Sequence, residues 1–419
     1  MRSVCVLVLS ALALLALPGR VEATRGQFDV PAAACTSDGD SAPAIEQFLT
    51  KVPNGSVVTF PEDAMCKVAR TVDLGVPSAG GSQRTDTTYD LRGATIFRED
   101  EPSCEHIDDC NGPVVAINLV HSVTLQGGSV RGGLGVDGLP QFDATREHDH
   151  GIAVHGSVDV TLFGLHVSNV SGDCVDVDKQ KKDVSANIRV IGTPGAPFTC
   201  EVTGRQGVSA NSVTGLRVQG VTFDRIASTG VDLEPRRHGY IDTALVKENR
   251  FGWMGNYAIA GIGASETWKS IAIEDNVQTD PDPGHAGEAF LRAGNSFDRG
   301  PLAVTGNRIR NRIQINHTFG TAKDNVLVAG PAAPKCMFEL FNDPPFKVAS
   351  SNQHPARVKL TCGLEGKIAA GGIERKAREL LKFLVPVAVV LLVAVVALVV
   401  WLRRRRRAQG ASPPAAPAA

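Results

Sequence analysis

The chain has 419 residues, a formal net charge of −1 and 21% charged residues. That balance carries no electrostatic footprint for nucleic acid, and the length allows a large core with appendages at either end. Nine cysteines, of which Cys5 lies in the leader described next, leave eight, an even number that suits an oxidising compartment.

In chain order, the first element is a targeting segment. Arg2 precedes an apolar run from Val4 to Leu17, and Pro18, Gly19 and Val21-Glu22-Ala23 follow. A basic start, an apolar run and a small-residue end predict a secretory signal over 1–23, cut after Ala23. Residues 24–118 read as an N-terminal cap with the first coils of a solenoid. Within them Ser41 to Val52 predicts a short amphipathic helix with Ala44, Ile45, Phe48 and Leu49 on one side, then strands over Val57–Phe60 and Lys67–Leu74.

Residues 119–330 repeat. The pattern apolar-any-apolar-any followed by Gly, Asp or Glu starts at Val123, Val160, Ile188, Leu216, Ala244, Ile271, Leu302 and Val326, at spacings of 37, 28, 28, 28, 27, 31 and 24 residues. A second column lies between these copies. It reads GIAVH from Gly151, CVDVD from Cys174, GVSAN from Gly207, GVDLE from Gly230, AIAGI from Ala258 and RIQIN from Arg312, with the register blurred around Ala289. At least two short strands per unit, repeating every ~25–30 residues, predict an all-β parallel β-helix, in which stacked coils bury one continuous core. A β-propeller blade needs ~40–45 residues, and a leucine-rich repeat needs a motif that is absent.

Residues 331–380 read as a C-terminal cap and juxtamembrane segment. Within 381–402, Phe383 to Leu402 carries no charge and is long enough to span a bilayer as one transmembrane helix. Trp401 marks its boundary, and Arg403–Arg407 open a tail over 403–419 that the positive-inside rule places in the cytoplasm. A basic nucleic-acid tail would not explain the apolar run. The expected localisation is therefore the cell membrane, single-pass, with the N-terminal domain extracellular.

The cysteines fall into neighbouring pairs, Cys35–Cys66, Cys104–Cys110, Cys174–Cys200 and Cys336–Cys362, the simplest of many connectivities. No CxxC is present to suggest zinc, and His148 and His150 read as turn residues rather than as a metal pair.

The cap resembles the pectin lyase-like superfamily of right-handed parallel β-helices. Those proteins often begin with an Asp-rich turn, an AIQ-type helix and a GxVxFP strand, matched here by Ala44-Ile45-Glu46-Gln47 and by Gly55 to Pro61. The resemblance spans roughly residues 28–330. It implies a right-handed coil, and it implies enzymes on acidic polysaccharides, adhesins, or proteins without known activity. Polygalacturonase-like members carry adjacent aspartates after a glycine, whereas Gly172-Asp173 is followed here by Cys174. Their Gly-His-Gly motif is absent, with His238-Gly239 a weak remnant.

Alternation assigns the outer face of the second column. Ala153, Asp176, Ser209, Asp232 and Ala260 should line up on it, with His155, Asp178, Asn211, Glu234 and Ile262 beside them. The expectation is a ladder of carboxylates that repel one another unless arginine, Ca²⁺ or a ligand offsets them. His148, Asp149, His150, Arg205, Gln206, Arg236, Arg237 and His238 should gather at its rim. Cys174, read as facing outward, should bind Cys200 and fix an insertion over Lys179–Gly204 there.

Two functions stay open. In the first, an enzyme acts on extracellular polysaccharide through Asp176, Asp178, Asp232, Glu234, His155 and Arg205. Asn211, Ser209, Arg236, Tyr240, Trp253 and Tyr257 would contact substrate, with Trp268 close to them. A hydrolase would use Asp176 and Asp178, whose Cα atoms are ~6.7 Å apart, as an inverting pair. A lyase would hold Ca²⁺ on the same two aspartates, and Arg205 or Arg236 would take the proton. In the second, the coil is a tethered adhesion module that binds a cell-surface glycan without chemistry. The expected partners are a polysaccharide or glycan and the membrane, and no cofactor other than Ca²⁺ is suggested.

Overall fold

The computed structural model describes residues 25–99, 112–135, 138–235, 239–261, 268–279, 289–294, 301–316, 318–328, 333–341 and 346–363. The signal segment, the span over 381–402, Cys104, Cys110, Arg236–His238 and Ile262 lie outside them. Among the described residues no helix is long and apolar enough to cross a membrane.

The described strands pair in parallel through two sheets, one of twenty strands and one of eleven. The first column of repeats forms consecutive rungs of the larger sheet. Thr124–Arg131 pairs with Thr161–Val170, then come Ser185–Ile191, Val213–Gln219, Ile241–Lys247, Trp268–Glu274 and Leu302–Thr305. The second column is the eleven-stranded sheet, which runs from Val72–Asp73 through Val175–Asp178 to Lys359–Gly363. Around Ala289 its register is plain, with Tyr257 opposite Ala289 and Ile259 opposite Leu291. The chain is thus a parallel β-helix, the architecture of the pectin lyase-like proteins, and parallel crossovers favour the right-handed form.

After Thr124–Arg131 and Thr161–Val170, which each run through two rows, the coils hold a separate third strand that alternation does not reveal. Phe198–Thr203, Val221–Ile226, Arg250–Phe251, Val277–Gln278, Arg308–Ile309 and Val326–Leu327 stack in order. Several are only two residues long, too short for a period to register. Val326 belongs to this row. The eighth rung of the first row is Gly320–Lys323, opposite Leu302–Thr305, and its Gly-Thr-Ala-Lys sequence alternates weakly.

The interior is a stack of Val, Ile, Leu and Phe. Phe223 lies on Phe251 with ring centroids 5.1 Å apart, and Phe290 meets Phe251 edge-on. At the corner before the third strand, Asn249, Asn276, Asn307, Asn325 and Asn352 form a buried ladder. Each amide nitrogen up to Asn325 donates to the next asparagine's oxygen at 2.9–3.0 Å and to a backbone carbonyl of an earlier coil.

The helix that closes the first coil runs over Ala42–Leu49 and buries Ala42, Ile45 and Leu49. That i, i+3, i+7 stripe leaves Ala44, expected inside, on the solvent side, with Phe48 half-buried. Arg84, fully buried, donates to the carbonyls of Leu49 and Val52 at 2.7 and 2.8 Å and so satisfies the helix end. The strand expected over Lys67–Leu74 is two short ones, Met65–Lys67 and Val72–Asp73, parted by a bend at Ala69-Arg70.

Cys35–Cys66, Cys174–Cys200 and Cys336–Cys362 are disulfides. Two expectations about the second are corrected. Residues 179–204 are no insertion, because Ser185–Ile191 and Phe198–Thr203 are regular rungs. Cys174 does not face outward but is fully buried in the core. The alternation that turns Val175 inward stops at the corner, where the chain bends and brings Cys174 inside as well.

Candidate functional site

The outward column predicted for the second row is present residue by residue. Ala116, Ala153, Asp176, Ser209, Asp232, Ala260, Arg292, Gln314 and Glu339 are successive partners. Beside it, Asn118, His155 and Asp178 are in register, and Asn211 follows on the next rung, its amide bonded to the Val177 carbonyl. Val175 and Val177 point into the core, which leaves Asp176 and Asp178 outside.

The expected open ladder of repelling acids is not what forms. Asp176, Ser209, Asn211 and Asp232 are each 7% exposed or less, and Asp173 is fully buried. The turn through Glu147–His150 packs on this end of the sheet, close enough that a Cβ at Gly172 would sit 2.8 Å from the Glu147 carbonyl and 2.9 Å from His150 Nδ1. Only glycine allows the two turns to meet.

Within this cover every acid of the cluster has partners. Asp176 Oδ2 lies 2.7 Å from His155 Nε2, and its Oδ1 accepts from Ser209 Oγ at 2.8 Å and from Asn211 Nδ2 at 3.3 Å. Asp173 Oδ2 pairs with Arg205 Nη1 at 2.8 Å and with Ser209 Oγ at 2.7 Å, while its Oδ1 accepts the Gln206 amide at 3.0 Å. His150 Nδ1 accepts the Asp173 amide at 3.1 Å, and its Nε2 is 3.8 Å from Asp176 Oδ2. Arg205 Nε reaches Glu147 at 3.8 Å, and Gln206 Nε2 donates to Asp232.

These surroundings push the acids apart. Burial alone would raise Asp176, but His150 and the hydrogen bonds from His155 and Ser209 outweigh it and hold the carboxyl well below the usual range. Burial raises Asp173, against the pull of His150 and Arg205. Burial also raises Asp178, helped by the charge of Asp176 and opposed by the Lys179 amide at 2.7 Å. His155 is raised: burial works against its charge, and the Asp176 carboxylate prevails.

Asp173 is the member that alternation missed. It sits at the corner, where period-2 reasoning stops, and only its place before Cys174-Val175 could have marked it. Glu234 follows the strand Thr229–Leu233, half-buried, and its carboxylate has no partner among the described residues. The aromatic expectation mostly fails. Tyr257 shares the sheet, but it packs with Ala260 and Ala289 under the Arg292 guanidinium, 5.5 Å from its ring. Trp253 follows the third strand, where its amide bonds Asp224, and Tyr240 and Trp268 belong to the larger sheet's side of the coil. Arg236 lies outside the described residues.

Calcium does not fit. Among the described residues the group of three with converging donor atoms is His150, Asp173 and Asp176, which Asp178 does not join. Calcium takes six to eight oxygen ligands, whereas this group offers one nitrogen and two carboxylates already met by Arg205, His155 and Ser209.

No protein-family model and no curated protein matches the chain. Similar solved structures include an alginate lyase from Paenibacillus sp. str. FPU-7, with 10% identity and a TM-score of 0.48 over 78% of this chain and 99% of that one. The surface protein and adhesin PfbA of Streptococcus pneumoniae is 14% identical, with a TM-score of 0.47 over 80% and 99%. An endo-xylogalacturonan hydrolase from Aspergillus tubingensis is 13% identical, with a TM-score of 0.38 over 81% and 99%. Likeness at this level carries no functional argument, and the strand register alone defines the fold.

Proposed function

We propose that the face around Asp176 is a carbohydrate site on an extracellular β-helix, tethered by the span over 381–402, and that it cleaves a polysaccharide by general acid–base catalysis. The observation that carries this reading is the contrast along one strand: Asp176 is held anionic while Asp178, two residues on, is pushed up. Carboxyl groups driven in opposite directions are the mark of an acid and its ionised partner. His155 stands opposite Asp178 on the adjacent strand and is oriented by Asp176. In the hydrolytic form Asp178 gives its proton to the glycosidic oxygen as the bond to the anomeric carbon breaks. His155 takes a proton from the water whose oxygen bonds to that carbon. Asp176 keeps its charge, which orients the imidazole and offsets its positive charge.

A second reading, glycan binding without turnover, draws on the closure of the network, since Ser209, Asn211 and His155 already occupy Asp176, and Gln206 occupies Asp232. The test is incubation of the full-length chain with galacturonan, alginate, xylan and β-glucan. New reducing ends that disappear in Asp178→Asn support catalysis, and absorbance of unsaturated ends would assign a lyase instead. Binding of a polymer without either product establishes the second reading.

A further inference from the structure

A cleft of about 320 Å³ opens on the twenty-stranded sheet, away from the rungs that carry Asp176. Thr199, Glu201, Thr222, Asp224, Arg250 and Gly252 are among its lining residues. The register explains how it arises. Thr199, Thr222 and Arg250 are successive partners in one outward column, and Glu201 and Asp224 are partners in the next. On the following coil Gly252 lies beside Asp224, where a Cβ would be 2.3 Å from Asp224 Oδ1. Any larger residue there would run into that carboxylate, so the glycine lets Asp224 lean over the next coil, and the cleft lies between these carboxylates and a row of threonines ending in a guanidinium.

The chemistry of the walls narrows the occupant. Arg225 already bridges the two acids, with Nη2 on Glu201 and Nε 3.7 Å from Asp224, so a divalent cation would find its charge taken. The two carboxylates disfavour an anion, and the polar lining disfavours an apolar ligand. Arg250, exposed, has no hydrogen bond or ion pair among the described residues and offers donors. Thr199's hydroxyl is bonded to His166, so what remains is a neutral group that gives hydrogens to carboxylates about 4.8 Å apart on adjacent strands and receives them from Thr222 and Arg250. Closely spaced hydroxyls do this, and the volume is at the small end of ligand sites. We propose that this cleft is a second carbohydrate site, which takes one neutral sugar residue of a glycan chain and holds the polymer on the coil away from the acidic face. Only the choice of probes rests on the glycan reading of that face.

The test is calorimetric titration of the purified full-length chain with the neutral tetrasaccharides of cellulose, chitin, mannan and xylan. A probe should show a binding event that Arg250→Ala and Asp224→Asn each weaken about tenfold or more, with melting temperature and turnover unchanged. Thr222→Val, which alters no charge, should weaken it as well. Asp176→Asn should leave this event in place. Isotherms identical for wild type and all three cleft variants, or no binding of any probe by the wild type, would overturn the proposal. Loss of turnover in Asp178→Asn alongside such identical isotherms would sink the cleft and spare the acidic face. Turnover that survives Asp178→Asn while Arg250→Ala loses its event would do the reverse.

Discussion

Two arrays of buried polar side chains run through this coil on opposite plans. The asparagine ladder from Asn249 to Asn352 is neutral, recurs coil after coil, and hands each hydrogen bond to the next copy of itself. The cluster of Asp173, Asp176, Arg205, His150, His155 and Ser209 is charged, spans neighbouring coils only, and is built from residues that do not recur. A stack of like coils needs the first, because every corner must satisfy the same backbone groups. It has no need of the second: the sheet continues on either side of the cluster with Ala116, Ala153 and Ala260 in the same column. Periodic polarity here answers a demand of stacking, and the polarity that breaks the period answers none.

The sharpest way to break this contrast is to cut each array once. Asn276→Ala removes donors to the Val246 carbonyl and Asn307, and it strips the acceptor from the amide and side chain of Asn249. Several buried groups lose partners together, so the expected loss is roughly 3–4 kcal/mol, read as a lower urea midpoint with activity per folded molecule unchanged. A loss under about 1 kcal/mol would show that the ladder is ornamental to stacking.

Asp176→Asn should cost less and do more. An acid that only repelled its neighbours would, once neutralised, leave the melting temperature unchanged or raise it. The geometry reverses that expectation, since Asp176 accepts from Ser209 and Asn211 and pairs with His155, so the loss is about 1–3 kcal/mol with turnover abolished. A rise in melting temperature would mean that repulsion from Asp173 outweighs these bonds.

The coil and the outward column could be read directly from the residues, because both rest on strand alternation and a near-constant repeat. Ala153, Asp176, Ser209, Asp232 and Ala260 fell in line for that reason. What could not be read lies where alternation ends. Asp173, Cys174 and His150 sit at corners, where a backbone bend and not period two decides the direction of a side chain. The third row was hidden by strands of two residues. The asparagine ladder was visible in principle, since an Asn stands at or just beyond the end of one strand copy after another, but its spacing belongs to turns. The burial of the acids was invisible altogether, for it depends on the turn through Glu147–His150 that covers them.

A gentler probe uses pH. His155 is raised in the folded state, so its pairing with Asp176 contributes stability that is fully present below the ordinary histidine value near 6.5 and is lost as pH rises through the raised one. The groups that face it are Asp176 and Asp178. The wild type should therefore lose melting temperature from pH 6 toward alkaline pH, and His155→Gln should lack this fall, so the two curves converge. Asp176 acts in the other window: its depressed value supplies stability above the ordinary carboxyl range that disappears only in acid. Parallel curves for wild type and His155→Gln would mean that the imidazole is neutral in both states and that its charge adds nothing to its hydrogen bond with Asp176.

The smallest expected effect on the fold comes from Glu234, and it asks where the site ends. Its carboxylate is half-buried beside Asp232 but unpartnered among the described residues, unlike the acids of the cluster. A group bound into a network resists substitution through stability; a group left open can show itself only through a ligand. Glu234→Gln keeps the shape and removes one charge, so stability should stay within about 0.5 kcal/mol. If the groove extends to this coil, a glycan that binds the wild type should bind the variant several-fold more weakly, the effect of one lost hydrogen bond of about 1 kcal/mol. Equal affinity would place the boundary at Asp232. A marked fall in stability would put Glu234 inside the network and remove the distinction between groups that hold the cover and groups that face the ligand.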